Sequence, residues 1–283
     1  MSARSDPPVT GHPAIWIARS APLAYRVMPK CACSSIGQWL HLLDHGRFHH
    51  GEIHDDHADL LKWGVPHHRE AFVSAMKTGP RLRFTMVRNP YRRLASAFTD
   101  KIFGYQKDGR RYRAGHLHRQ LHAYAVTFAP RSSVIEAFRG FVRFAVDTLR
   151  DDGPMPADPH WAPCFDHLLF NVQRDPAWRP DFVGRVETLR PDLVTVARRA
   201  GLPDGSVPER LPRENATSLG PVPISALYGP EELALVREAY AADFEAFGYD
   251  DALDAPAPAA PVAHAALLER LTEAAGLTAS RTA

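Results

Sequence analysis

The chain has 283 residues, 45% of them hydrophobic, and a formal net charge of +2 at neutral pH. That length buries a sizeable core as one domain, or as one domain with a small appendage. The near-neutral balance gives no global field for nucleic acid, so any basic site must be local. The three cysteines, Cys31, Cys33 and Cys164, make no metal-type array. Cys31 and Cys33 are too close for an ordinary bridge, which fits a reducing compartment. With no apolar signal core in MSARSDPPVTGHP and no run of membrane-spanning length, the sequence predicts a soluble, cytoplasmic protein.

Residues 1–13 read as a disordered lead. Ala14–Ile17 and Leu23–Met28 are short strand candidates, separated by a turn at Arg19–Pro22. The second strand runs into a tight turn at Pro29-Lys30 and the small residues Cys31, Ala32, Cys33, Ser34 and Ser35. Ile36, Trp39, Leu40 and Leu43 then recur at helical spacing. A strand, a small-residue loop and a helix start let backbone N–H groups approach an anion. Ser34 or Ser35 suits both a helix cap and a phosphate donor, and Lys30 supplies a mobile charge. The order is not GxxxxGK[ST], because the lysine precedes the small residues and Gly37 falls inside the helix. A Mg²⁺-dependent nucleotide hydrolase is therefore disfavoured. Read plainly, the stretch is an ordinary strand–turn–helix with a serine cap.

Phe48–His57 follows, with four histidines and three acids in ten residues. Its spacing matches no standard metal-ligand motif. A substrate-facing wall with one catalytic base and a solvated polar loop both remain open. Arg69–Lys77 reads as a helix stopped by Gly79-Pro80, and Leu82–Val87 as a strong strand. Arg88-Asn89-Pro90 leads into a helix over Tyr91–Phe103. Arg88 thus stands at a strand's carboxyl end, where open α/β sheets place ligands, and an Arg there forms bidentate pairs with phosphate. Ser96 lies about two turns further on. The plain alternative makes Arg88 a structural ion pair, Arg92 and Arg93 surface charges, and Ser96 a helix filler.

Lys107–Arg119 is the most basic stretch and reads as a solvated segment or as a rim that attracts an anionic acceptor. Ser132–Leu149 is an amphipathic helix. Asp158-Pro159-His160-Trp161 reads as a Trp anchor with a satisfied histidine, or as a cluster that places His160 or Asp158 at the acceptor. Phe182–Val186 is a strand, Glu187–Ala200 a helix, Asn215–Ser218 a polar loop, and Glu231–Phe247 a helix with Pro230 in its first turn. Residues 251–263 are an Ala/Pro-rich linker, and 264–283 a short C-terminal helix and tail.

Two segments, MPKCACSSIGQWL and FTMVRNPYRRLASAFTDKI, together resemble the two cofactor signatures of Golgi-type carbohydrate sulfotransferases, nearest the chondroitin 4-O-sulfotransferase branch. DPHWAPCF, DFVGRVETL and YGPEELALVREAYAADFEAFGYD are similar to later landmarks of that branch. The resemblance implies a sulfotransferase domain over 14–250. It implies a three-layer, P-loop-kinase-like α/β fold with a central parallel sheet, and 3′-phosphoadenosine 5′-phosphosulfate (PAPS) as sulfuryl donor to a carbohydrate hydroxyl. Carried over by position, Lys30, Ala32, Cys33, Ser34 and Ser35 would cradle the 5′-phosphosulfate, and Arg88 and Ser96 the 3′-phosphate. Ser34 stands where the branch usually has Thr. The Golgi enzymes carry an anchor and several disulfides, so this chain looks like a trimmed, bacterial-type member whose acceptor does not transfer from theirs. Lys30 is then the cation at the leaving oxygen and His54 the base, with His50, Glu52 and His160 as alternatives; no metal and no nucleic acid enter this scheme. The rivals are a nucleotide or sugar kinase and a non-catalytic module binding a nucleotide or sulfated glycan.

Overall fold

The strand-forming runs are apolar on both sides, as strands covered on both faces must be. In the computed structural model they assemble into one five-stranded sheet. The structure describes residues 14–55, 58–63, 65–77, 79–103, 115–126, 133–212 and 222–277. The expected N-terminal lead (1–13), His57, residues 107–114 of the basic stretch, the polar loop 215–218 and the tail 278–283 lie outside the described residues. The chain divides into two compact units: 11–88, 168–215 and 260–283 form an α/β unit, and 1–10, 89–167 and 216–259 a helical one.

In the α/β unit the strands are β1 (Ile15–Ile17), β2 (Leu23–Arg26), β3 (Leu61–Lys62), β4 (Leu82–Val87) and β5 (Phe182–Arg185), in the order β3-β1-β2-β4-β5. β2, β4 and β5 are parallel, but β1 runs antiparallel to both β2 and β3. The sheet is therefore mixed, with the expected parallel part confined to three strands. The reason is local: β1 and β2 are joined by a short turn, which only an antiparallel pair permits.

Register sorts the side chains. Ile17 stands opposite Ala24, and with Ile15, Leu61 and Phe72 they pack one face beneath α2 (Arg69–Lys77). Trp16 stands opposite Tyr25 and Lys62, on the other face. Tyr25 stacks at 5.1 Å on Phe84, which meets Trp39 of α1 (Cys33–His45). α1 ends at Gly46, whose φ of 67° closes the helix by an N–H bond to the Leu42 carbonyl. Beyond the sheet, α7 (Leu189–Arg199) packs on β5 and β4, and α11 (His264–Ala274) completes the unit.

The helical unit contains α3 (Pro90–Ala97), α4 (Gly115–Ala123), α5 (Val134–Asp147), the start of α6 (Cys164–Arg174), α8 (Ile224–Leu227), α9 (Pro230–Ala239) and α10 (Ala241–Phe247). Departures from the sequence reading occur here. The helix expected to run to Phe103 is α-helical only to Ala97 and then widens into a π-helical stretch, Phe98–Phe103. The Thr99 hydroxyl donates to the Ala95 carbonyl there, a contact that competes with the helical ladder. The helix expected over Glu231–Phe247 breaks at Tyr240, whose buried hydroxyl donates to the Trp161 carbonyl at 2.6 Å. Arg93, read as a surface charge, is 1% exposed and donates to the carbonyls of Pro159 and Ala162.

α6 itself was not expected. Its first amides, Cys164 N–H and Phe165 N–H, donate to the Asp243 carboxylate at 2.9 and 2.7 Å. The cap comes from 79 residues away, so no local signal announces it. Burial raises the Asp243 carboxyl to about 6, against the lowering pull of those amides and Arg93.

Two stability predictions follow from these contacts. Arg93→Met removes the buried donor to the Ala162 carbonyl, leaves Pro159 with His167 alone and takes away the cation near Asp243, so the unfolding free energy should fall by ~3 kcal/mol in a denaturant titration. In the α/β unit, His41 is buried, 4.2 Å from the His45 ring and 5.1 Å from that of His49. Burial holds its pKa below the ordinary value, opposed by its bond to the Arg47 carbonyl. The fold thus favours neutral His41. Its contribution is present above the unfolded value of about 6.5 and is lost as pH falls through that value toward the depressed one. Melting scans at pH 7.5 and 5.5 should show a loss of stability that is smaller in His41→Gln.

Candidate active site

β2 and β4 are parallel neighbours, so the segments following them emerge at the same edge of the sheet. The segment after β2 turns sharply: Cys31 N–H bonds the Met28 carbonyl at 3.1 Å, and α1 begins at Cys33. Lys30 and Ala32 both lie in the left-handed region, with φ of 65° and 61°. For L-residues this costs ~1–2 kcal/mol each, and such strain concentrates at functional sites. A left-handed turn leading into the positive end of a helix is a setting in which main-chain amides bind anions.

Ala32 is the N-cap of α1 and no side chain caps it. This corrects the expectation that Ser34 or Ser35 would do so. Both serines fall inside the first turn, and their hydroxyls reach other elements. Ser35 Oγ donates to the Pro212 carbonyl at 2.7 Å. Ser34 Oγ lies 3.0 Å from His54 Nε2, and Cys33 Sγ 3.5 Å from the same nitrogen. At the end of β4, Arg88 Nη1 donates to the Lys30 carbonyl at 3.3 Å. The two signatures, 58 residues apart in sequence, therefore meet in one place within the α/β unit.

Among the proposed bases, the structure brings only His54 to this loop by a described contact. Gln38 holds the His49 backbone through N–H and carbonyl bonds of 2.8 and 3.2 Å, while His50 and Glu52 are exposed. His160 and Ser96 belong to the helical unit. His160 Nδ1 is 2.5 Å from Asp158 Oδ1, half-exposed, beside a Trp161 buried as the anchor the sequence suggested. That hydrogen bond holds the Asp158 carboxyl below its usual range although its burial pulls the other way. Among the described residues no group of three or more His, Cys, Asp or Glu could hold a metal.

Sequence reasoning missed the left-handed turn, because no glycine marks it. It also missed Trp16 and Lys62, whose part in the site is a tertiary one: the Trp16 ring meets His54 edge-on at 5.1 Å, and Lys62 Nζ sits 5.5 Å from the Trp16 ring centre.

These features define an α/β protein with a left-handed turn, Lys30 to Ala32, at the carboxyl edge of its parallel strands. The chain belongs to the sulfotransferase family, whose model matches residues 13–250. It is also 29% identical over 241 residues to carbohydrate sulfotransferase 14 of Danio rerio, an alignment covering 80% of this chain and 59% of that relative. The chain thus spans well under two thirds of that protein's length. No solved structure matches significantly. No described helix is long and apolar enough to cross a membrane.

Cys33 lies beside Lys30 yet is not an activated thiol. Burial pushes it up to about 11, against the pull of the lysine. Its alkylation by iodoacetamide at pH 7.5 should therefore run ~100-fold slower than that of an ordinary thiol, followed by peptide mass spectrometry.

Proposed function

We propose that the protein is a PAPS-dependent O-sulfotransferase acting on a carbohydrate hydroxyl. The observation that carries this reading is the meeting of Arg88, the left-handed Lys30–Ala32 turn and the Ser34–His54 pair at one sheet edge. Family membership and the likeness to a carbohydrate sulfotransferase support the chemistry. The order β2–loop–α1 with β4 and β5 parallel beside it supports a P-loop-kinase-like, three-layer arrangement, and the extent of the family match supports 14–250 as the sulfotransferase domain.

The residues fit such a donor. The Lys30 side chain and the first amides of α1, from Ala32 to Ser35, suit a doubly anionic phosphosulfate, and Arg88 suits a second phosphate. Ser96 is assigned to that phosphate by resemblance alone. When bound, the donor supplies the sulfuryl group and departs as 3′-phosphoadenosine 5′-phosphate. Lys30 neutralises the charge that grows on the leaving oxygen as the sulfur–oxygen bond breaks. His54 Nε2 takes the proton from the acceptor hydroxyl as its oxygen bonds to sulfur. Ser34 Oγ, already on that nitrogen, keeps the imidazole directed at the loop. Charge stabilisation and positioning account for the step, as in phosphoryl transfer.

Calorimetry should give tighter binding of 3′-phosphoadenosine 5′-phosphate than of ATP, and Arg88→Ala should abolish that preference. With PAPS and a panel of saccharides, Lys30→Ala and His54→Ala should each lower turnover at least ~100-fold. Preferential ATP binding would point to a kinase. Tight bisphosphate binding without turnover on any acceptor would point to a binding module.

A further inference from the structure

The histidine-rich segment carries several imidazoles, and a short wedge of side chains packs around the one at His54. Ile53, just before His54, is fully buried. Beneath it α1 carries Gly37, where a Cβ would stand 2.6 Å from Trp16 Cζ3 and 2.9 Å from Ile53 Cγ1. Both distances are below any tolerated contact, so Trp16 and Ile53 pack directly on the α1 backbone. Trp16 then meets the His54 ring edge-on at 5.1 Å. On the far side of the turn, Lys62 is buried to 4% exposure. Its ammonium donates to the Asp55 carbonyl and lies 5.5 Å from the Trp16 ring centre. The backbone just after His54 is thus fastened to β3, and the ring itself is fastened to β1.

A buried lysine is a costly way to close a turn, and an apolar residue paired with an ordinary surface turn would serve stability as well. Its placement makes sense if the turn's position matters to a reaction. We infer that Gly37, Trp16 and Lys62 are positioning residues that hold the His54 imidazole on the donor loop. The inference rests on His54 being the acceptor base, and it goes further in assigning the angle and reach of that base to three residues outside the loop. Lys62 anchors Asp55, Trp16 limits ring rotation, and Gly37 allows both to approach α1 closely enough for Nε2 to stand 3.0 Å from Ser34 Oγ. Lys62 does not touch donor or acceptor in this scheme.

The test combines a readout at His54 with one at the donor loop. Histidine ring resonances of the whole chain are followed by NMR through a pH titration, with His54 assigned by its loss in His54→Ala. Lys62→Met should move the His54 resonance and its titration midpoint, while the Kd for 3′-phosphoadenosine 5′-phosphate stays within about twofold of wild type. Turnover with PAPS should fall ~10-fold or more with little change in KM for PAPS, and Lys62→Arg should restore most of it. Gly37→Ala should move the same resonance; Lys62→Met in a His54→Ala background should have no further effect on turnover. An unchanged His54 titration in a folded Lys62→Met protein overturns the inference. So does a fall in bisphosphate affinity matching the fall in turnover, since Lys62 would then serve the whole loop. Full activity of His54→Ala overturns the base assignment underneath it, and absent bisphosphate binding by wild type overturns the sulfotransferase reading itself, so the three failures are distinguishable.

Discussion

The structure of the α/β unit depends on how the chain turns from β2 into α1. Lys30 and Ala32 adopt left-handed backbone conformations without being glycine, and the surroundings hold them there. Arg88 bonds the carbonyl of the first, and the second serves as the N-cap of a helix whose Trp39 and Ile36 are fully buried. A strained turn is retained because strong packing on either side leaves the chain no other path. The result is a left-handed turn at a helix's positive end, a setting in which main-chain amides bind anions.

Around that turn the unit is organised by the period of the strands. Alternate residues of β1 serve different tasks: Ile15 and Ile17 build the core under α2, while Trp16 faces α1 and reaches the histidine segment. A one-residue slip of β1 would exchange the two sets and take the Trp16 ring away from His54. Register is therefore a functional quantity here, and the antiparallel pairing of β1 with β2 and β3 pins it from both sides.

The helical unit solves a different problem. Its loop from Asp158 to Pro163 exposes carbonyls in an apolar setting, and buried polar side chains meet them: Arg93 at Pro159 and Ala162, His167 at Pro159, Tyr240 at Trp161. Trp161 in turn donates to the Thr148 hydroxyl at 3.0 Å. Unmet groups there would each cost on the order of 1–3 kcal/mol, so these side chains are structural despite being charged or polar.

Much of this was legible in the sequence. Leu82–Val87 and Arg69–Lys77 carry their period and their stops within their own residues, and both elements form over those spans. The two cofactor-type segments were visible as strand–turn–helix patterns, and the small residues after Lys30 marked the turn from β2 into α1. Other features have no local signature. α6 is capped by Asp243, a carboxylate from a distant helix, and Glu231–Phe247 is broken by a tyrosine whose hydroxyl finds a partner elsewhere in the fold. Arg93 reads as a surface charge until its carbonyl partners are known. That His54 meets Ser34 while His50 and Glu52 are exposed becomes visible only with Trp16, Gly37 and Lys62 packed around one turn. Local pattern determined the elements and the chemistry available at the loop. Tertiary packing decided which side chains reach it, because contacts between residues far apart in sequence leave no periodicity to read.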